Sequence, residues 1–186
     1  MKRDLDFVQE LLVHFFRQPH IVQRLQRIDT RVLKDWDTWL QVEFSLFLDS
    51  HIHIKQWHKD YSFPIVAQSN IESIYASDPN LLPINFVFAK TQSSPNQNIA
   101  IDIRQDADAE ICIRSMVADI HKVWLVRRSD NDIRSMWSLG IHKQAARNEL
   151  IDFIQRYVDE FDADFISESR THTRAIPGTQ LAYTLF

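Results

Sequence analysis

Residues 81–104 read LLPINFVFAKTQSSPNQNIAIDIR, and the fold turns on this stretch. Its segments INFVFAK (84–90) and IAIDIR (99–104) are rich in the β-branched and aromatic residues that strands favour. The polar TQSSPNQN between them predicts a loop or an exposed turn. Two polar features interrupt the apolar runs. Asn85 lies two residues after Pro83, and Asp102 and Arg104 are two apart. Residues i and i+2 of a strand share one face, so the last two project together.

Upstream, Leu5, Val8, Leu12 and Phe15 predict a helix over 4–17, ended by Pro19, and Ile21, Leu25 and Ile28 a short second one over 20–28. The clearest helix is 30–49, capped by Asp29 or Thr30, with a stripe of Leu33, Trp36, Leu40, Phe44 and Phe47. IHIKQWH (52–58) alternates like a half-buried strand, and 62–82, with Pro64 and Asp78-Pro79, predicts irregular structure. Downstream, Ile113, Val117, Ile120 and Trp124 mark a helix over 107–127. RSMWSLGIH (134–142) reads as a strand, and Ala146, Leu150, Phe153, Ile154 and Tyr157 mark a helix over 143–160. The last residues, LAYTLF, are apolar enough to dock on the body. This order predicts an α/β or α+β domain, a small mixed sheet of about four strands flanked by helices. Its expected parts are an N-terminal helical segment (1–29), an α/β core (30–160) and a C-terminal tail (161–186).

Composition narrows the function classes. The 186 residues are 45% apolar and 25% charged, which suits one globular domain. The 2 glycines, Gly140 and Gly178, are far apart, so a dinucleotide-binding loop and a Walker A loop are excluded. A single cysteine, Cys112, rules out an intrachain disulfide and a multi-cysteine zinc site. It sits in the apolar run ICI and reads as a buried, inert thiol. The net charge of −4 argues against a broad nucleic-acid surface and leaves room for a local basic groove. Asp4, Asp6 and Glu10 stand where a secretory signal would be apolar, and no apolar run approaches a membrane span, so a cytoplasmic protein without membrane contact is expected.

Glu43 falls on the same side of the 30–49 helix as Trp36, Leu40 and Phe47. A buried carboxylate there needs a partner or a metal; the alternative is a Glu at the stripe's edge whose head reaches water. His51 and His53 would share a strand face with His58 nearby, a spacing that suits a metal, although 8 histidines make such a pattern common by chance. Arg127, Arg128 and Arg134 flank a polar loop and could touch phosphate.

The succession of a helix with Glu43, a strand with Asn85, a strand with Asp102-x-Arg104 and a helix with Asp119-Ile120-His121-Lys122-Val123 resembles the PD-(D/E)XK nuclease-like superfamily, the restriction-endonuclease-like fold, over about residues 30–160. The resemblance implies that Glu43 is the helix acid and that Asn85 occupies the family's metal-binding Asp position. Asp102 and Arg104 would stand at the Glu and Lys of its Glu-x-Lys motif. Each of the last three departs from the pattern. Asn85 is neutral, Asp102 is one methylene short, and Arg104 is too basic for proton transfer. The implied site is therefore degenerate, with Mg²⁺ on Asp102 and Glu43 only where nuclease activity is retained. Lys122, Arg127 and Arg128 would meet nucleic acid. The expected role is binding, to nucleic acid or to a nuclease or toxin partner, in a defence or mobile-element setting. The alternatives are a non-enzymatic immunity or inhibitor module and an active Mg²⁺-dependent DNase.

Overall fold

A computed structural model describes residues 2–64, 81–91, 97–119, 132–161, 163, 166 and 170–186. Three helices come first: α1 (Lys2–Phe16), α2 (Pro19–Arg31) and α3 (Asp37–Ser50). Strands β1 (Ile54–Pro64), β2 (Leu81–Lys90) and β3 (Asn98–Gln105) follow, then α4 (Ala109–Ala118), β4 (Ile133–Lys143), α5 (Arg147–Phe161), β5 (His172–Ala175) and β6 (Leu181–Leu185). The strands form one mixed sheet in the order β1-β2-β3-β4-β6-β5. Only the β3–β4 pair is parallel; α4 lies on the connection between these strands. The other neighbours are antiparallel.

Helices cover both faces. Val8, Leu12 and Phe15 of α1 and Leu40 and Phe44 of α3 pack on Phe86, Phe88, Ile99, Ile101 and Trp137. The ring of Phe44 meets that of Phe86 edge-on at 5.0 Å. On the opposite face, a Cβ added at Gly140 of β4 would collide with Met116 and Cys112, so α4 lies directly against the sheet there. Ile113, Met116 and Val117 of α4 then share a core with Leu150, Ile154 and Tyr157 of α5. The start of α4 is well specified: Asp108 accepts from the N–H groups of Glu110 (2.8 Å) and Ile111 (3.1 Å).

Several expectations need correction. The sheet has six strands because residues 172–185, expected as tail, form a hairpin that carries the order past β4. All five residues of β6 are buried. The expected helical segment 1–29 holds α1 and most of α2, and both helices contribute to the same core as β6. The expected 30–49 helix begins at Asp37, because α2 runs on to Arg31 and the chain then turns sharply. Val32 and Asp35 adopt positive φ (51° and 57°), a conformation uncommon for residues other than glycine. Leu33 consequently leaves the stripe and is 51% exposed. His51 and His53 precede β1 instead of lying on it, with rings 5.6 Å apart. Phe153 is only partly buried at the rim of the α4–α5 core, so it carries less of that core than Leu150 or Ile154. The stretch 62–82, expected to be irregular, is strand at both described ends, 62–64 in β1 and 81–82 in β2; its residues 65–80 and the far half of the expected 107–127 helix lie outside the described residues. Among the described residues, no helix is long and apolar enough to cross a membrane.

Candidate functional site

The ladder between β2 and β3 runs from Ala89 opposite Asn98 to Phe86 opposite Ile101 and stops there. One step further the Asn85 side chain takes over from the main chain: its Oδ1 accepts the N–H of Ile103 at 2.6 Å. Beyond this point β3 continues beside β4 alone, out to Gln105 opposite Ile141. Among the described residues this leaves a notch in the hydrogen-bond ladder between β2 and β3.

Asp102 and Arg104 lie at this notch. Ile99, Ile101 and Ile103 belong to the α1–α3 core, so strand alternation sends Asp102 and Arg104 to the α4 face. Asp102 is 3% exposed and Asp119 5%, whereas the Arg104 side chain keeps 36%. The Nε of Arg104 donates to Oδ2 of Asp119, and its Nη2 lies 3.8 Å from Oδ2 of Asp102. Asp119 caps the C-terminal end of α4. A carboxylate there faces the negative pole of the helix dipole, and the guanidinium offsets that repulsion. Among the described residues the site therefore sets one fixed positive charge between two carboxylates, with a neutral amide alongside.

Asn85, Asp102, Arg104 and Asp119 come together around the end of β3, and Glu43 does not join them. Glu43 accepts hydrogen bonds from Arg24 of α2 and, at 3.0 Å, from Nε1 of Trp39, and its Oε2 is 3.4 Å from Nε2 of His20. It ties α3 to α2 in the layer on the other side of the sheet. The expectation that Glu43 and Asp102 share a metal is thereby corrected: a strand can present a side chain to only one face, and these two acids serve opposite faces. Lys122, Arg127 and Arg128 lie outside the described residues. Among the described residues, no cluster of three or more His, Cys, Asp or Glu side chains could hold a metal ion. A cation entering the notch would have to draw Asp102 and Asp119 from Arg104 and the Asn85 oxygen from Ile103.

Among the described residues, two buried ionisable groups escaped the sequence reading. Asp4, fully buried on α1, lies 2.8 Å from Nζ of Lys90 and 2.7 Å from Nε of Arg134, joining the first helix to β2 and β4. Its position four before Val8 on the apolar face was the available signal. His142, also fully buried, has Nδ1 2.7 Å from the carbonyl of Lys143 and Nε2 2.8 Å from Oγ1 of Thr184. Nothing in the alternation of β4 marks it, because an imidazole suits an exposed position equally well. No family model, no curated protein and no solved structure matches this chain.

Proposed function

We propose that this chain is a nuclease-like domain of the PD-(D/E)XK kind whose catalysis is impaired and whose work is to bind a protein partner. The order of a helix, three strands, a helix and a strand parallel to the third supports the family reading. The observation that carries the functional reading is the engagement of the notch with itself. Metal-dependent hydrolysis needs several hard oxygens open to the cation. Here Asp119 holds Arg104, Asp102 stands beside the same guanidinium, and the Asn85 carbonyl holds a main-chain N–H. Arg104 cannot serve in proton transfer, because it stays protonated in proteins.

The same balance favours a protein over nucleic acid. Phosphate binding draws on surplus positive charge. Among the described residues two carboxylates lie beside Arg104, and the whole chain is net −4. A nuclease or toxin-type protein is the partner class that the resemblance implies, and a cytoplasmic setting goes with it.

The test is incubation of the purified chain with single- and double-stranded DNA and RNA in Mg²⁺ and in Mn²⁺, beside Asp102→Ala. The expected result is no cleavage by either form. Cleavage that Asp102→Ala abolishes would replace this reading with an active nuclease. Tight binding to a labelled duplex that weakens steeply with salt would move the target from protein to nucleic acid.

A further inference from the structure

Residues 17–34 carry Arg17, Arg24, Arg27, Arg31 and Lys34 against a single acid, Asp29. Most of this charge lies on α2. His20, Arg24, Arg27 and Arg31 follow at intervals of four, three and four, which puts them within about 60° of one another around the helix. All four are exposed, as is Lys34 just beyond the helix, while Ile21 and Leu25 are buried on the core side. Asp29 stands on the side of α2 away from the row, and its carboxylate accepts the N–H of Gln180 at 2.6 Å. Glu43 engages Arg24 and lies 3.4 Å from His20. Arg27, Arg31 and Lys34 have no ion-pair partner among the described residues, and Asp35 and Asp37, on the turn into α3, pair with none of them.

The row ends on two apolar side chains. The N–H of Val32 donates to the carbonyl of Asp29 at 3.2 Å and that of Leu33 to the carbonyl of Ile28 at 3.0 Å, the two bonds of a Schellman cap. Glycine usually takes the left-handed turn in such a cap; here Val32 does, with φ 51° and ψ 44°. A β-branched residue resists that conformation, so this choice costs stability. The core does not compensate it, since Val32 is 64% exposed and Leu33 51%. A strained backbone position that keeps apolar side chains in water points to a contact made outside the chain.

These features also choose the occupant. Carboxylates at intervals of three and four on an α-helix repeat the spacing of Arg24, Arg27 and Arg31, so a helix laid along α2 meets each cation in turn. Val32 and Leu33 then receive an apolar residue at the end of that helix. A nucleic-acid backbone would use the cations and leave the apolar pair in water, and the net −4 of the whole chain opposes a polyanion that spreads beyond the row. A second copy is a poor match, because acids of its own α4 and α5 are already engaged, Glu110 by Arg156 and Glu160 by Arg114. We propose that the outer face of α2, with Val32 and Leu33 at its end, docks an acidic helix of a partner protein. The proposal rests on the protein-binding role given above and adds its surface and the chemistry of its ligand.

The probe is a blocked, labelled, alanine-based helical peptide with one row of Glu at intervals of three and four and a Leu at each end. The control peptide has the same composition with its Glu residues spread around the helix. Fluorescence anisotropy with the full chain should show binding of the probe and at least tenfold weaker binding of the control. Arg27→Glu combined with Arg31→Glu should weaken the probe by about tenfold or more with an unchanged circular dichroism spectrum. Val32→Gly should weaken it about fivefold while the thermal midpoint holds or rises, because glycine takes the left-handed conformation freely. Equal binding of probe and control, a comparison that needs no variant, overturns the proposal. So does an absence of binding at millimolar peptide, or binding that the double charge reversal leaves unchanged. A DNA duplex that binds more tightly than the probe and is lost on the same reversal would overturn it in favour of nucleic acid. Self-association in sedimentation that the reversal abolishes would overturn it in favour of a second copy. A lowered thermal midpoint in Val32→Gly would make Val32 a packing residue and overturn the apolar end of the surface. The cleavage experiment tests the impaired-nuclease reading separately, so failure of one is not mistaken for failure of the other.

Discussion

Replacing Asp4 with Ala should destabilise the protein strongly and in a pH-dependent way. The carboxylate has no exposed surface, and two cations from distant parts of the chain lie against it, Lys90 at 2.8 Å and Arg134 at 2.7 Å. Removing one member of a buried ion pair costs roughly 3–5 kcal/mol, because the remaining charge has no compensation. The Lys90 and Arg134 side chains keep 21% and 34% of their exposure and can turn towards water, so about 3 kcal/mol is expected. For a chain of this length that corresponds to a fall in thermal midpoint of roughly 6–12 °C. Burial by itself would raise the Asp4 carboxyl, but the Lys90 hydrogen bond and the charges of Lys90 and Arg134 outweigh it and hold it below the usual carboxylate range. A carboxyl lowered in the native state stabilises above its unfolded pKa, and that contribution is lost as pH falls through the native value. Urea denaturation of both forms at pH 7 should therefore show the full difference, which narrows as pH falls below about 4. A loss under about 1 kcal/mol at pH 7, or one unchanged at pH 3, would refute a network that binds through charge. Asp4→Asn, which keeps the shape and removes the charge, should follow Asp4→Ala in sign.

His142 should make the fold sensitive to mild acid. Burial pushes its imidazole below the usual range despite the bond to the Lys143 carbonyl, so the unfolded chain takes up a proton that the native one resists. Stability should then decline as pH falls below about 6.5, and His142→Asn should flatten the pH dependence; an unchanged slope between pH 7 and 5 would contradict this. Cys112 is buried against β4, and desolvation pushes its thiol up to about 12. It should resist alkylation in the native protein at pH 8 and react once urea unfolds the chain; rapid native-state labelling would show that α4 does not seal it.

How legible each part was in the sequence depends on whether its signal is local. The strands at 84–90 and 99–104 appear close to where periodicity and composition place them, because β propensity and apolar burial act within the segment itself. The break between α2 and α3 was hidden because Val32 and Asp35 make the turn at positive φ, a role that sequence reading assigns to glycine. The closing hairpin was legible in principle: Pro177-Gly178 separates two short runs, and Gly178 has φ +69°. Its composition alone made it look like a tail. Asp102 and Arg104 were readable as neighbours because spacing two on a strand is a rule of geometry.

Glu43 shows where such rules end. Its place on the apolar side of a helix was correct, and Arg24, His20 and Trp39 satisfy it there. Which face of the sheet that helix covers is no property of the helix. It follows from how α1, α2 and α3 share the core above Phe86 and Ile101. The sequence by itself determined the central strands β2 and β3, the shared face of Asp102 and Arg104, and the exclusion of glycine-loop and multi-cysteine chemistry, since these depend on residue type and short spacing. Only the tertiary structure decided that Asp119 and not Glu43 meets Arg104, that Asn85 engages a main-chain N–H, and that β5 and β6 extend the sheet past β4. Those facts depend on which distant segments pack together, and the free energy of that packing is set by the whole core.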